Sequence, residues 1–297
     1  MSALSALHGA GSTIFSNLFI SLPVPRGNPE LSKQTIIVTG SNVGLGFETS
    51  RHLLRLGVGK LIMAVRNPSK GDTAKKELLA STGRDEASTE VWPLDMDSYD
   101  SVKVFASRAA QLPRLDGVLA NAGLMTNHFS FSEGNEKTLN VNVISTFLLC
   151  LLLIPKMRES GKQTGSPCRF VIPNSALHYL APLGELDPEK DIFARLNDPK
   201  TANMEGRYPV SKLLVIYAVR ELADRSKISG KGSFIINTPN PSYCKSSLTR
   251  EIDGFAARMG EKMHARSTEV GSRVLYHSLF AGEESDGQYL TNCHVQV

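Results

Sequence analysis

Residues 35–56 read TIIVTGSNVGLGFETSRHLLRL, and the rest of the chain is organised around them. Ile36, Ile37 and Val38 form a short apolar run, the pattern of a strand buried on both faces. Gly40, Gly44 and Gly46 follow as a turn, and Phe47, Leu53 and Leu54 then fall on one side of a helix. Glycine turns tightly without a Cβ clash, and a helix N-terminus just beyond offers free N–H groups and a partial positive charge to an anion. A diphosphate fits such a turn. A plain tight turn gives the same local pattern, so the case depends on the flanking sequence.

Lys60 to Val65 (KLIMAV) is a second buried strand that ends in Arg66 and Asn67. In a dinucleotide fold an acidic residue about 20 positions past the glycines holds the adenosine ribose hydroxyls, whereas a basic one favours a 2′-phosphate. No carboxylate occurs between Lys60 and Lys70. Arg66, with Lys70 as a second candidate, suits a phosphate, and the cofactor expected is NADP(H). A solvated strand-end charge is the alternative. Glu90 to Leu94 is a third strand, after which Asp95 is placed to accept from an adenine amino group. Asp116 to Ala120 is a fourth, delivering Asn121, Ala122 and Gly123 to the carboxyl edge of the sheet, where ligands bind in such folds.

A helix from about Glu136 to Met157 carries Asn142, and a fifth strand, Arg169 to Ile172, delivers Ser175. A loop rich in Pro, Asp and Asn runs from Leu180 to Gly206. Tyr208 then heads a helix with Pro209 in its first turn, where proline is tolerated, and Tyr208 and Lys212 share one face. A sixth strand, Ser233 to Asn237, leads into Pro241 and Ser242. Strands alternating with helices predict an α/β fold: a single Rossmann-type doubly wound parallel sheet flanked by helices, with no repeat and no second domain.

The chain has 297 residues, 41% apolar and 21% charged, enough to bury a large core. Its net charge of +4 is not gathered into a basic run, which argues against nucleic-acid binding. Cys150, Cys168, Cys244 and Cys293 stand far apart, without CxxC pairs or ligand-spaced histidines, so reduced thiols, no metal site and a cytoplasmic location are expected. Residues 1–33 form an apolar extension ahead of a domain spanning 34–297. In it Ile14, Phe15, Leu18, Phe19 and Leu22 share one face if helical, too short a run to span a bilayer. Two readings stand: a helix docked on its own domain or a second subunit, or a helix lying on a membrane surface. The later run Phe147 to Ile154 reads as core.

A phenol near pKa 10 is a poor acid or base at neutral pH unless its phenolate is stabilised. A lysine ammonium one helical turn away does that by Coulomb attraction, and a hydroxyl such as that of Ser175 can hold a substrate oxygen against the phenol. Tyr-x-x-x-Lys alone is a weak signal, since chance places it on many helices.

Taken in order, Thr39-Gly-Ser-Asn-Val-Gly-Leu-Gly46, Asp95, Asn121-Ala-Gly123, Asn142, Ser175 and Tyr208-x-x-x-Lys212 resemble the short-chain dehydrogenases/reductases, from about Lys33 to Val297. The resemblance implies a catalytic tetrad of Asn142, Ser175, Tyr208 and Lys212, with Asn142 helping to hold a water that links Lys212 to a proton relay. It also implies that Ser41, Asn42 and Leu45 join the glycines around the cofactor, and that Tyr208, Lys212, Pro241, Ser242 and Ser246 meet its nicotinamide end. LIMAVRNPSKGDTAKKEL and the late GQYLTNC are similar to the retinol-dehydrogenase and WW-domain-oxidoreductase branch, which several fungal biosynthetic reductases also resemble. That branch implies a lipophilic carbonyl or alcohol as substrate, for instance a polyketide or terpenoid intermediate, and a homodimer or homotetramer packed through the helices of Asn142 and Tyr208. A non-redox isomerase or cyclase and a non-catalytic NADP(H) sensor are the alternatives.

Three departures from the family pattern stand out. Asn174-Ser175 replaces the common Ser-Ser, and Pro241-Ser242 replaces Pro-Gly, with Ser246 where threonine is usual. Leu180 to Gly206 is long enough to be an insert at the pocket rim, and specificity is expected there and in Tyr243 to Ser267.

Overall fold

Strand β1 (Thr35–Thr39) lies inside a parallel sheet, with β2 (Lys60–Val65) on one side and β4 (Gly117–Leu119) on the other. The computed structural model describes residues 15–187, 191–245 and 265–296, with Gly11, Thr13, Glu189 and Leu248. Beyond β2 comes β3 (Thr89–Pro93), and beyond β4 come β7 (Arg169–Val171), β8 (Ile235–Asn240) and β9 (Tyr289–Thr291), all parallel. Strand β10 (His294–Val295) closes that edge antiparallel to β9, and Phe131–Ser132 (β5) pairs with Asn135–Glu136 (β6) in a separate hairpin. The chain leaves β1 in one direction to build β2 and β3, then crosses back to β4. The gap between β1 and β4 is therefore the switch point at which a ligand cleft opens.

Alternation along β1 sets the layers. Ile36 and Val38 face α1 (Gly44–Arg55), α2 (Pro68–Thr82) and α6 (Thr268–Ser278), in a core with Leu53, Leu54, Leu78 and Leu275. Ile37 faces α3 (Tyr99–Ala109), α4 (Lys137–Thr164) and α5 (Met204–Ser229), in a core with Phe105, Leu149, Phe170 and Val219. Helix α4 is long and apolar enough to cross a bilayer, yet 61% of that stretch is buried inside the protein. It is a core helix here.

Three boundaries differ from expectation. Helix α5 begins at Met204, not at Tyr208, because the Asn203 side chain caps it by accepting from the Gly206 N–H at 3.0 Å. Pro209 therefore sits past the first turn, where it has no N–H for the carbonyl four residues back. Strand β8 runs on through Pro239, whose carbonyl accepts from the Asn174 N–H at 2.7 Å. The stretch after Leu180 is not one loop: Leu183–Leu186 and Ile192–Leu196 are short helical turns.

Of the readings of the N-terminal helix, docking on its own domain through Phe15, Leu18 and Phe19 is not what the described residues show. Residues 15–19 are helical, but Ser16 is the buried position while Phe15, Leu18 and Phe19 are 58%, 53% and 71% exposed. Ile14 lies outside the described residues. Farther on, Leu22 packs against Val274 and Cys293, and the Tyr276 hydroxyl donates to the Arg26 carbonyl at 2.9 Å, so the extension runs along α6.

Candidate functional site

The turn after β1 is built from glycines doing different things. Gly40 and Gly44 both adopt φ +63°, the left-handed region that side chains rarely occupy. Gly46 is demanded by space: a Cβ there would lie 2.5 Å from Asn121 Nδ2 and 2.7 Å from the Gly40 carbonyl oxygen. Asn121 Nδ2 donates to the carbonyls of Thr39 and Gly40 at 3.1 and 3.2 Å, and the Ala122 N–H donates to Thr39 Oγ1 at 2.8 Å. The ends of β1 and β4 are thereby stitched together across the switch point. Helix α1 starts at Gly44 with no side chain capping it, which leaves its first N–H groups available to an anion.

A cavity of about 1050 Å³ opens over this turn. Gly40, Gly44, Leu45, Asn121, Ala122 and Gly123 line it, as do Arg66 and Asp95 at the ends of β2 and β3. Ser175, Tyr208, Lys212, Pro241 and Ser242 line it as well. Ser41, Asn42, Gly46 and Asn142 do not, and Ser246 lies outside the described residues. Lys70 is also off the lining; its N–H donates to Asn67 Oδ1 at 3.1 Å in the cap of α2. Asp95 Oδ1 accepts from the Asp97 N–H at 3.0 Å, which fixes the carboxylate at the cavity wall.

Tyr208 is 5% exposed, and burial pushes its phenol up, against an opposing hydrogen bond from the Ser175 side chain. The expected lowering by Lys212 is thus not what dominates. The Lys212 ammonium lies 5.5 Å from the Tyr208 ring centroid and donates to the Pro173 carbonyl at 2.7 Å, and burial lowers its own pKa to about 8. The protein alone therefore holds Tyr208 protonated beside a lysine that is still mostly cationic at neutral pH.

Asn142 sits in a π-helical segment, Asn140–Ser145, within α4. Its Oδ1 accepts from the Leu124 N–H at 2.9 Å, and its Nδ2 donates to the Leu124 carbonyl at 2.9 Å and to Ser211 Oγ at 3.2 Å. The side chain is engaged in locking the segment after β4 to α5, one residue before Lys212. Such single-turn π segments interrupt the regular helix ladder and recur at functional sites.

Two features were not legible in advance. Asn174 replaces an expected serine and reaches three elements: its Oδ1 accepts from the Ser175 N–H at 2.8 Å, and its Nδ2 donates to the Lys212 carbonyl at 3.1 Å and Thr238 Oγ1 at 3.0 Å. Only its departure from the Ser-Ser pattern marked it. Thr13, from the extension, lines the cavity, and no motif pointed to it. Ser242 adopts φ +66°, so the serine does occupy a backbone state suited to the glycine usually found there.

Comparison with known proteins bears on the family and the fold. A short chain dehydrogenase family model matches residues 34–166. The short chain dehydrogenase/reductase dmxR8 of a Cryptosporiopsis species is 42% identical over 286 residues, covering 95% of this chain and 87% of that protein. The short-chain dehydrogenase anuD of Penicillium roqueforti is 42% identical over 298 residues, covering 98% and 77%. Among solved structures, NADPH-bound carbonyl reductase from chicken fatty liver superposes with a TM-score of 0.66 at 16% identity, covering 92% of this chain and 99% of that one, a likeness of fold. With a glycine turn at the switch point, a serine, tyrosine and lysine on one cavity, and fungal relatives matching nearly end to end, the chain belongs to the short-chain dehydrogenase/reductase family of oxidoreductases.

Proposed function

We propose that this protein is an NADP(H)-dependent oxidoreductase that interconverts a carbonyl and an alcohol on a lipophilic small molecule. The observation that carries the reading is one cavity with Arg66 and the glycine turn among its walls and Ser175, Tyr208 and Lys212 among the others. The residues suit the cofactor: uncapped N–H groups at α1 for the diphosphate, open space beyond the Cα of Gly44, and a guanidinium for a 2′-phosphate. NADPH, when bound, supplies hydride to the carbonyl carbon.

The chain's own groups do the rest. Ser175 holds the carbonyl oxygen, and Tyr208, kept protonated by burial, gives its proton to that oxygen as negative charge develops. The Lys212 ammonium stabilises the phenolate left behind, and Asn142 ties Leu124 to the side chain of the neighbouring Ser211. Leu124, Met125, Leu177, Leu180 and Tyr243 on the cavity wall support a lipophilic substrate. Likeness to fungal relatives supports a polyketide or terpenoid intermediate.

The same reading takes the protein as cytoplasmic, on its four free buried cysteines. It also takes it as a homodimer or homotetramer joined through α4 and α5, where Leu151, Leu152 and Tyr217 are exposed. Outward Phe15, Leu18 and Phe19 support a peripheral membrane contact, which co-sedimentation with phosphatidylcholine vesicles tests.

The deciding experiment titrates the protein with NADPH and NADH, then follows reduced-nicotinamide absorbance with a panel of lipophilic ketones and aldehydes. NADPH binding with carbonyl-dependent oxidation is expected. In Tyr208→Phe, cofactor binding should persist while turnover falls by roughly 10²- to 10⁴-fold, as for a lost general acid. Tight binding with no oxidation by any carbonyl would favour a non-redox enzyme or a sensor.

A further inference from the structure

The N-terminal segment and the segment after β8 meet on one residue, the first at its buried guanidinium and the second at its backbone. Arg266 is 6% exposed, and its Nη2 has four acceptors around it: the Ser16 carbonyl at 2.7 Å, Ser16 Oγ at 3.1 Å, Asn292 Oδ1 at 3.1 Å and the Ile20 carbonyl at 3.2 Å. Its backbone pairs with the post-β8 segment, donating to the Tyr243 carbonyl at 2.9 Å and accepting from the Lys245 N–H at 3.0 Å. Ser16 Oγ donates to Asn292 Oδ1 at 2.6 Å, and Asn17 Nδ2 donates to the Tyr243 carbonyl at 2.9 Å. Thr13 on one side of this junction and Tyr243 and Cys244 on the other all line the cavity.

Charge-assisted bonds to buried carbonyls are the strong kind, and removing the donor leaves those carbonyls unsatisfied. Among the described residues of the extension's helix the buried position is a serine, while Phe15, Leu18 and Phe19 face outward. Its attachment at this end is therefore polar and centred on Arg266.

We infer that Arg266 is a positioning residue that joins the N-terminal segment and the Tyr243–Lys245 segment into one preformed wall of the substrate cavity. The inference rests on the reading of that cavity as a carbonyl site. A preformed wall spares the ligand the cost of bringing two segments together, so its loss should weaken substrate binding more than the chemical step.

The test uses Arg266→Gln and Arg266→Lys in the full chain, with two readouts. The first needs no turnover: N-ethylmaleimide labelling of the four cysteines, mapped by mass. Cys244 and Cys293, both buried and within electrostatic reach of Arg266, should label about tenfold faster in Arg266→Gln, while Cys150 and Cys168 in the core keep their rate. The second is kinetic: KM for the best carbonyl should rise about tenfold, with kcat and the NADPH dissociation constant within about twofold, and Arg266→Lys should recover part of the loss. Should Arg266→Gln not fold, Asn17→Ala, which removes the bond to the Tyr243 carbonyl and leaves Arg266 in place, should raise KM by about threefold. Unchanged labelling at Cys244 and Cys293 overturns the wall. Equal acceleration at all four cysteines, or kcat falling with KM unmoved, overturns the positioning role. If the wild-type protein turns over no carbonyl, the functional reading fails, and labelling alone decides whether Arg266 holds the wall.

Discussion

Asn174 Nδ2 donates to the Lys212 main-chain carbonyl at 3.1 Å, so a side chain at the end of β7 is tied to the helix that carries Tyr208. The same amide accepts from the Ser175 N–H and is 4% exposed. From the cavity wall, its geometry couples the serine to the tyrosine and lysine.

Asn174→Ala should therefore lower kcat by about 10- to 100-fold, because misplacement by a fraction of an ångström at a reacting centre is amplified in rate. It should also cost about 1–3 kcal/mol of stability, since buried partners lose their hydrogen bonds. Asn174→Ser, too short to reach Lys212 but still polar, should fall between. Steady-state kinetics beside thermal melts check this; lost stability at unchanged kcat would limit Asn174 to the fold.

Lys212 gives a pH prediction. Its folded pKa of about 8 is below its ordinary 10.5, so the ammonium that supports Tyr208 is lost as pH rises through about 8. The kcat/KM for carbonyl reduction in the free enzyme should decline above that pH. Stability moves the other way. A lowered lysine pKa means the unfolded chain binds the proton more tightly, so the burial penalty present below about 8 is relieved between about 8 and 10.5. A flat kcat/KM profile across that window would show that another group controls the reaction.

Arg66 is exposed at the cavity wall, with no carboxylate on its own strand end. Arg66→Asp should turn preference from NADPH toward NADH by repelling a 2′-phosphate and accepting from a free ribose hydroxyl. The ratio of the two dissociation constants measures it. Unaltered preference would mean that the phosphate is recognised by other groups, such as Ser41, Asn42 or Lys70.

Gly46→Ala tests the switch-point stitch without altering a group on the cavity lining. Its methyl would press on Asn121 Nδ2 and the Gly40 carbonyl, of which the second is backbone and cannot swing away. A loss of about 1–3 kcal/mol, typical of overpacking, should appear in denaturant melts together with weaker NADPH binding. Normal affinity in a destabilised protein would separate the stitch from the diphosphate turn.

The succession of strands and helices, the glycine turn and the spacing from Tyr208 to Lys212 were legible in the sequence because each depends on neighbours a few residues away. An apolar run specifies a buried strand, a glycine cluster a turn, and a four-residue interval one helical face. Helix α5 starts earlier than Pro209 suggests, because Asn203 is the cap that sets where the ladder begins. The bonds from Asn142 to Leu124, from Asn174 to Lys212 and from Arg266 to Ser16 were not legible, because those partners lie 18 to 250 residues away in the chain. The N-terminal helix shows the limit most plainly. Periodicity reveals that Phe15, Leu18 and Phe19 share a face, but which face meets the protein depends on the surface offered there. Arg266, Asn292 and the Tyr243 carbonyl offer hydrogen bonds, so the polar face turns inward, a choice made only once the sheet and its loops bring those groups together.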